Sequence, residues 1–485
     1  MVRRIEYRWV IIFACLVMIL TSIPYILGYA NSGTGWRFTG FVFGVEDGNS
    51  YIAKMLEGAF GNWLFRTPYT AYPQNGVLIF LPYILLGKLA SQPGIHEQLV
   101  ALFHLFRFTA GIFWIVMTYG FISLFIDNVG LRRLGTILAA LGGGLGWILV
   151  ILGKNQWLGS LPLDYYSPET FGFLEIFGLP HVALARALMF LVLIQYLLRV
   201  QKRESRDTDH LLGRVNWFPK TTSDWKYFGG VGLAGLLTSI AQPLTGIVVW
   251  MIIGIYLIFL LGRALWISDH QEGKQWPIFW FAFRDALWSG WLALPLVLYN
   301  VLFFQIDPFL KSWVAQSTIP SANPLHYLLA YGLLIPFAVI GVSKLMKRFP
   351  KSGWLLIGWV IVLPLIIYIP FSFQRRLIEG MWVALIILSL VNWDIPGQVN
   401  GIGNLKKSWY IYFGFLFPTT LFLLLGGCIV AVKPGLPVFR PTAEVDSFKY
   451  LAQHASKNDI VLTSYDTGNA LPAWAPLRVV IGHGP

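Results

Sequence analysis

The sequence predicts an all-α polytopic membrane domain of about eleven transmembrane helices, N-terminus inside and C-terminus outside, followed by the start of a small extracytoplasmic α/β segment. Three observations carry this. The 485 residues are 56% apolar and 12% charged, with a mean hydropathy of +0.63, a balance that would leave a soluble domain greasy and aggregating. Apolar stretches recur from Trp9 to Val432. After Val432 the pattern changes to short alternating segments. The reading is therefore one membrane domain over residues 1–432, with a long first outer loop at 30–99, and an α/β segment at 433–485. Two strands in the tail cannot bury much of a core, so that domain is expected to be incomplete.

Met1-Val2-Arg3-Arg4 precedes an apolar run from Trp9 to Tyr29. The run is long enough for the ~30 Å hydrocarbon core and has no small-residue cleavage pattern after it, so it reads as a retained first helix. Further spans read at 100–126, 132–152, 181–199, 228–242, 244–262, 285–305, 325–343, 353–370, 381–393 and 409–432. Gly76 to Ala90 is apolar but short and carries Pro82, which places it in the outer interface. With the N-terminus inside, the short inner segments hold most of the 36 Lys and Arg residues, as the positive-inside rule requires.

Three outer regions then stand out. In the first loop Glu46-Asp47-Gly48 is followed by Tyr51, Ile52, Met55, Leu56, Phe60 and Trp63 at helical spacing, which predicts a helix lying in the membrane plane. The second, Lys154 to Pro180, carries Asp164-Tyr165-Tyr166, Glu169 and Glu175, with His181 just after it. The third is the tight turn Gln374-Arg375-Arg376-Leu377-Ile378-Glu379-Gly380. In the tail, Ser447 to His454 reads as a helix, and Asp459 to Leu462 and Arg478 to Ile481 as strands.

Two readings are open for Glu46 and Asp47. Asp47 caps the in-plane helix while Glu46 is solvated. Alternatively the pair works at the membrane surface as a general base toward an acceptor hydroxyl or amine, or as a ligand to a divalent cation, magnesium or manganese, that clamps a phosphate. Arg375 and Arg376 either snorkel to lipid phosphates or bind an anionic headgroup. Arg107 and Arg186 lie about two turns into the outer halves of neighbouring spans, where an arginine costs about 2.5–3.5 kcal/mol and is usually accepted only beside a cavity or a partner. The four together predict a donor-phosphate site, with Glu379 able to pair with Arg376 from three residues away. Asp164, Glu169 and His181 are either ordinary loop acids and a structural histidine or a second acidic site.

The basic excess, a net charge of +13, is dispersed over loops rather than gathered in a stripe, which excludes a nucleic-acid partner. Cys15 and Cys428 fall inside apolar spans, so no disulfide or zinc site is expected. The sequence contains no phosphate-cradling loop, zinc-ligand spacing or nucleophile elbow. Ser464 to Asn469 reads as a turn after a strand.

In layout the chain resembles the C-type membrane glycosyltransferases, a superfamily that includes the protein O-mannosyltransferases and the oligosaccharyltransferase catalytic subunit. The shared features are a first span with its N-terminus inside, a long first outer loop with an acidic pair, an in-plane helix, a second acidic outer loop, an arginine turn before a late span and an outer C-terminal domain. The resemblance implies sugar transfer from a polyprenyl-phosphate or polyprenyl-diphosphate carrier. It puts the first acidic pair on Glu46 and Asp47 and the second acidic site on Asp164 or Glu169. The chain departs from the pattern in having no Asp-x-Asp in its outer loops, no Trp-Trp-Asp where Ser464-Tyr465-Asp466 stands, and no acidic residue after Thr318-Ile319. Those absences argue against glycosylation of peptide sequons.

The expected function is a multi-pass plasma-membrane transferase of the cell envelope, with its active site on the extracytoplasmic side. Asp47, with Glu46, activates the acceptor, and Arg375 and Arg376, helped by Arg186 and Arg107, stabilise the departing lipid phosphate. Its partners are then membrane lipid, the polyprenyl-linked sugar donor, and a glycan, lipid or protein acceptor. The rival is a lipid or glycolipid transporter or flippase in which the same arginines hold a headgroup in transit. A membrane-anchored scaffold presenting the tail leaves the intramembrane arginines unexplained.

Overall fold

The computed structural model describes residues 3–204, 217–219, 221–267, 275–399, 407–457 and 459–483. The expected inner-loop charges between 205 and 216, Lys406, and the terminal Gly484-Pro485 lie outside the described residues. The described chain is mostly helical, with four short strands. Helix α1 (Arg4–Ala30) covers the first apolar run, α2 (Val45–Ala59) and α3 (Leu81–Gly87) lie in the first loop, and α4 (Ile95–Ile122) follows.

Among the described residues five helical segments are long and apolar enough to cross a membrane: Arg4–Ala30, Ile95–Ile122, Pro180–Lys202, Pro243–Trp266 and Trp409–Val432. The number rises to seven if each of two bent pairs is one span. Trp276–Gly290 meets Leu294–Ile306 at 66°, and Pro324–Tyr331 meets Ile335–Arg348 at 71°. Pro295 and Pro336 open the second helix of each pair, and a proline there supplies no amide to carry the preceding helix onward. The stretch expected to span at 132–152 is likewise divided, into Val129–Leu141 and Gly146–Ile151, by a run of three glycines. At Gln242-Pro243 the chain breaks between Thr222–Ala241 and Pro243–Ile267, with Gln242 extended as a residue before proline prefers.

The buried polar contacts follow from the sequence. Glu6 turns back to the Arg3 amide at 2.9 Å, accepts from the Tyr119 hydroxyl at 2.6 Å and pairs with Arg132 at 2.8 Å. One carboxylate thus ties the start of α1 to α4 and to the helix Val129–Leu141. Helices α2 and α3 pack with their backbones touching: a Cβ on Gly87 would stand 1.8 Å from the Met55 carbonyl oxygen, and one on Gly58 2.0 Å from that of Ile84. Only glycine permits that approach.

The tail is bound to the first loop. Strand β1 (Trp36–Phe38) pairs antiparallel with β2 (Phe439–Pro441), Arg37 opposite Arg440. The two expected tail strands are present but shorter, β3 (Ile460–Val461) and β4 (Arg478–Val479), and they pair in parallel. The expected turn at Ser464 to Asn469 is instead the start of a helix, Tyr465–Trp474, which Ser464 caps through the Thr467 amide. A parallel strand pair needs a crossover, and this helix is the crossover. Arg478 then donates to the carbonyls of Thr70 and Tyr72, fastening β4 to the loop after α2.

Candidate active site

Helix α2 begins at Gly44, whose φ of +55° is open to glycine at little cost. The cap position is therefore Gly44, and no side chain caps the helix. Glu46 and Asp47 stand in the first turn, where the free amides favour negative charge, but the capping role considered for Asp47 is not the one it has. Its carboxylate is more than half exposed and faces His483, Oδ1 to Nε2 at 3.4 Å. Burial pulls the Asp47 carboxyl upward, but His483, Lys54 and His181 outweigh it and hold the group below the usual carboxylate value. Glu46 accepts a hydrogen bond from the Tyr465 hydroxyl.

These residues open onto a cavity of about 500 Å³ lined also by Pro437, Arg440, Asp466 and Asn469. Asn469 fixes the geometry: its amide donates to the Glu46 carbonyl at 3.2 Å and its oxygen accepts from Asn49 at 2.8 Å. His483, Tyr465 and Asn469 were not among the site residues expected from the sequence, which read Ser464 to Asn469 as a turn. They lie more than 400 residues from α2, and the sole local signal was the glycine-flanked histidine at 482–484.

Along the same face of α2, one and two turns beyond Asp47, come Tyr51 and Lys54. Lys54 is buried among the rings of Phe80, Tyr51 and Phe65, at 4.4, 5.1 and 5.7 Å, and donates to Ser50. Burial pushes its ammonium down to about 8, with Asp47 opposing. Tyr51 marks where the expected site residues converge. Its buried phenol is raised first by desolvation and then by Asp47 and Glu169, while Arg376 draws it down. The acidic first turn, the second loop and the arginine turn therefore share one electrostatic neighbourhood. His181 belongs to it too: its ring packs on Tyr51 and its Nδ1 bonds the Tyr83 hydroxyl at 2.7 Å.

The arginines divide into two kinds. Arg375 and Arg376 sit on a short 3₁₀ turn, Gln374–Ile378. Arg376 is 41% exposed with Glu169 3.4 Å from its Nε, and Arg375 lies 4.4 Å over the Tyr166 ring. Arg186 is 1% exposed, paired with Glu175 and 3.5 Å from Glu379, and it donates to the Glu169 carbonyl. Glu379 thus pairs with Arg186 and accepts from Thr245 at 2.7 Å, rather than pairing with Arg376. Arg107 is buried with bonds to Thr21, Ser22, the Ile176 carbonyl and His104, and its guanidinium covers the Tyr25 ring. Asp164 has partners of its own. Its buried carboxylate accepts from the Gly146 amide and the Thr419 hydroxyl, both at 3.0 Å, and so secures the start of helix Gly146–Ile151.

Among solved structures, the chain matches archaeal oligosaccharyltransferase AglB from Archaeoglobus fulgidus, in complex with an inhibitory peptide and a dolichol-phosphate, with a TM-score of 0.50 at 13% identity over 96% of this chain. Its fold is similar to that of an oligosaccharyltransferase. This agrees with the resemblance drawn from the sequence. The chain spans 64% of the length of that neighbour. A second structure of the Archaeoglobus fulgidus oligosaccharyltransferase, in complex with zinc and sulfate, matches with a TM-score of 0.48 at 13% identity over 98% of this chain and 62% of that one. No family model and no curated protein matches the chain.

Among the described residues no group of three or more His, Cys, Asp or Glu side chains is placed to hold a metal ion. Asp47 and His483 make a pair, and Glu46 is bonded to Tyr465. Glu46 and Asp47 line one cavity, and a pair of carboxylates is the protein share by which magnesium is commonly held together with substrate phosphate and water.

Proposed function

We propose that the protein is a multi-pass membrane glycosyltransferase that moves a sugar from a polyprenyl-phosphate or polyprenyl-diphosphate donor to a glycan, lipid or protein acceptor on the extracytoplasmic face of the plasma membrane. The observations that carry the proposal are the cavity lined by Glu46 and Asp47 and the 3.4 Å contact of Arg376 with Glu169 that joins the arginine turn to the second loop, in a chain whose fold is similar to that of an oligosaccharyltransferase. In the reaction, an acceptor O–H or N–H attacks the anomeric carbon. The new bond forms as the bond from that carbon to the phosphate oxygen breaks, leaving its electron pair on the carrier phosphate. The acceptor proton passes to Asp47, whose carboxyl is held below the usual value and is therefore ionised at neutral pH. Arg375 and Arg376, partly exposed on their turn, meet the charge that develops on the phosphate. Arg186 and Arg107 act behind them: the first holds the second loop against the arginine turn, the second holds α1, α4 and the Ile176 backbone together.

Asp47→Asn tests the assignment. The proposal expects transfer to be lost with expression and thermal unfolding nearly unchanged, since the side chain is largely exposed and removes no cap. Near wild-type turnover in this variant would overturn it. The reading of about eleven spans, N-in and C-out, has its own check. A cysteine at Ser317 or Ser464 should react with an impermeant maleimide on intact cells, and protection of both would invert the orientation.

A further inference from the structure

We infer that His483, supplied by the tail, is a positioning residue for Asp47, which makes the candidate active site a composite of the first outer loop and the segment after the last apolar helix. The inference rests on the reading of Asp47 as the group that takes the acceptor proton. Three features of the structure carry it.

The first is how the chain delivers the imidazole. Strand β4 is bonded to the first loop through the Val479 amide and the Pro68 carbonyl at 2.8 Å, so the four residues that follow start from a fixed point beside α2. They then cross the helix Tyr465–Trp474 at a contact between two glycines. A Cβ on Gly482 would lie 2.3 Å from the Gly468 carbonyl carbon, and one on Gly468 would lie 2.2 Å from the Ile481 carbonyl oxygen. No side chain fits at either position, and the crossing delivers His483 to the cavity. The second feature is the clamp on the ring, which packs against Tyr69 at 5.3 Å, while the Tyr69 hydroxyl donates to the Asn469 carbonyl at 3.2 Å. Asn469 in turn holds the first turn of α2. Ring and carboxylate are thus referred to one anchor. The third is the contact itself, Nε2 to Oδ1 at 3.4 Å on the wall of the cavity, a separation common for catalytic pairs before substrate tightens them.

With its proton on Nε2, His483 can donate to Oδ1 once the pair tightens, which leaves Oδ2 to take the acceptor proton. The charged and titratable groups around Asp47 are His483, Glu46, Tyr465, Asp466 and Arg440 at the cavity, with Lys54 and His181 behind. Of the tail residues at the cavity, His483 is the one in contact with the Asp47 carboxylate. Transfer therefore depends on the tail being docked.

The test uses the full chain in detergent with His483→Ala and His483→Gln, the second keeping an N–H donor. Infrared titration of the Asp47 carboxyl, identified by difference from Asp47→Asn, needs no substrate. The alanine variant should titrate at higher pH than wild type and the glutamine variant should fall back toward it. With radiolabelled polyprenyl-phosphate sugars as probes, alanine should lower turnover about ten- to a hundredfold with little change in KM for the donor, and glutamine should restore part of the rate. Gly482→Ala, which displaces the histidine without removing it, should behave as the alanine variant does. An unmoved Asp47 titration in His483→Ala, or glutamine no better than alanine, overturns the inference. Persistent transfer in Asp47→Asn overturns instead the reading it rests on, and leaves the pairing measurable by titration.

Discussion

Replacing Arg186 by glutamine separates an arginine that holds the architecture from one that meets the donor. The guanidinium is 1% exposed between the side chains of Glu175, fully buried, and Glu379, 3% exposed. At an effective dielectric of about 20, unit charges 3.5 Å apart attract by about 5 kcal/mol. The desolvation of three buried groups offsets part of this. Removing the central cation leaves two carboxylates without it, and breaking such a cluster from one side costs about 3–5 kcal/mol. Arg186→Gln should therefore unfold at markedly lower temperature, followed by tryptophan fluorescence in detergent. Adding Glu175→Gln should recover part of the loss, because the stranded charge goes with it. The partly exposed Arg376, treated the same way, should lose no more than about 1 kcal/mol. If Arg186→Gln unfolds with the wild type while donor binding disappears, Arg186 is a phosphate ligand and the division drawn between the arginines is wrong.

Two further outcomes follow from the site. Arg376→Lys keeps the charge but loses the planar fork that grips two phosphate oxygens, so turnover should fall more than donor affinity, and equal activity would remove this residue from the mechanism. Lys54→Met removes an ammonium that burial lowers from 10.5 to about 8, a cost of about 3 kcal/mol in the folded state. The folded protein holds that proton less tightly than the unfolded chain, so the cost is full below pH 8 and fades as pH rises toward 10.5. Wild type should gain stability relative to Lys54→Met across that window, and parallel pH profiles for the two would contradict the buried-charge account.

What the sequence disclosed and what it hid differ in range along the chain. The helix carrying Glu46 and Asp47 was readable because Tyr51, Ile52, Met55 and Leu56 repeat at helical spacing, and all four are buried in α2. The arginine turn was readable because paired charges beside apolar runs are rare. Hidden was everything set by distant partners. Nothing near Asp164 announces that its carboxylate will take the Gly146 amide, and nothing near Glu379 announces Arg186 in place of Arg376. Apolar runs also conceal their bends. Composition alone does not distinguish a straight span at 285–305 or 325–343 from two helices meeting at 66° or 71°. The tail strands were visible from their alternation, but the crossover helix between them carries Asp466, Thr467, Gly468 and Asn469 in its first turns and so imitates a turn.

A transferase of the kind proposed must break the bond between a sugar and its lipid carrier. Purified full-length protein in vesicles, given radiolabelled polyprenyl-phosphate and polyprenyl-diphosphate sugars beside an Asp47→Asn control, tests it directly. The account predicts that, for at least one donor, label leaves the carrier with wild type and stays on it with the control. Intact labelled lipid crossing the bilayer, with no sugar released by either protein, would contradict the account and make the chain a transporter.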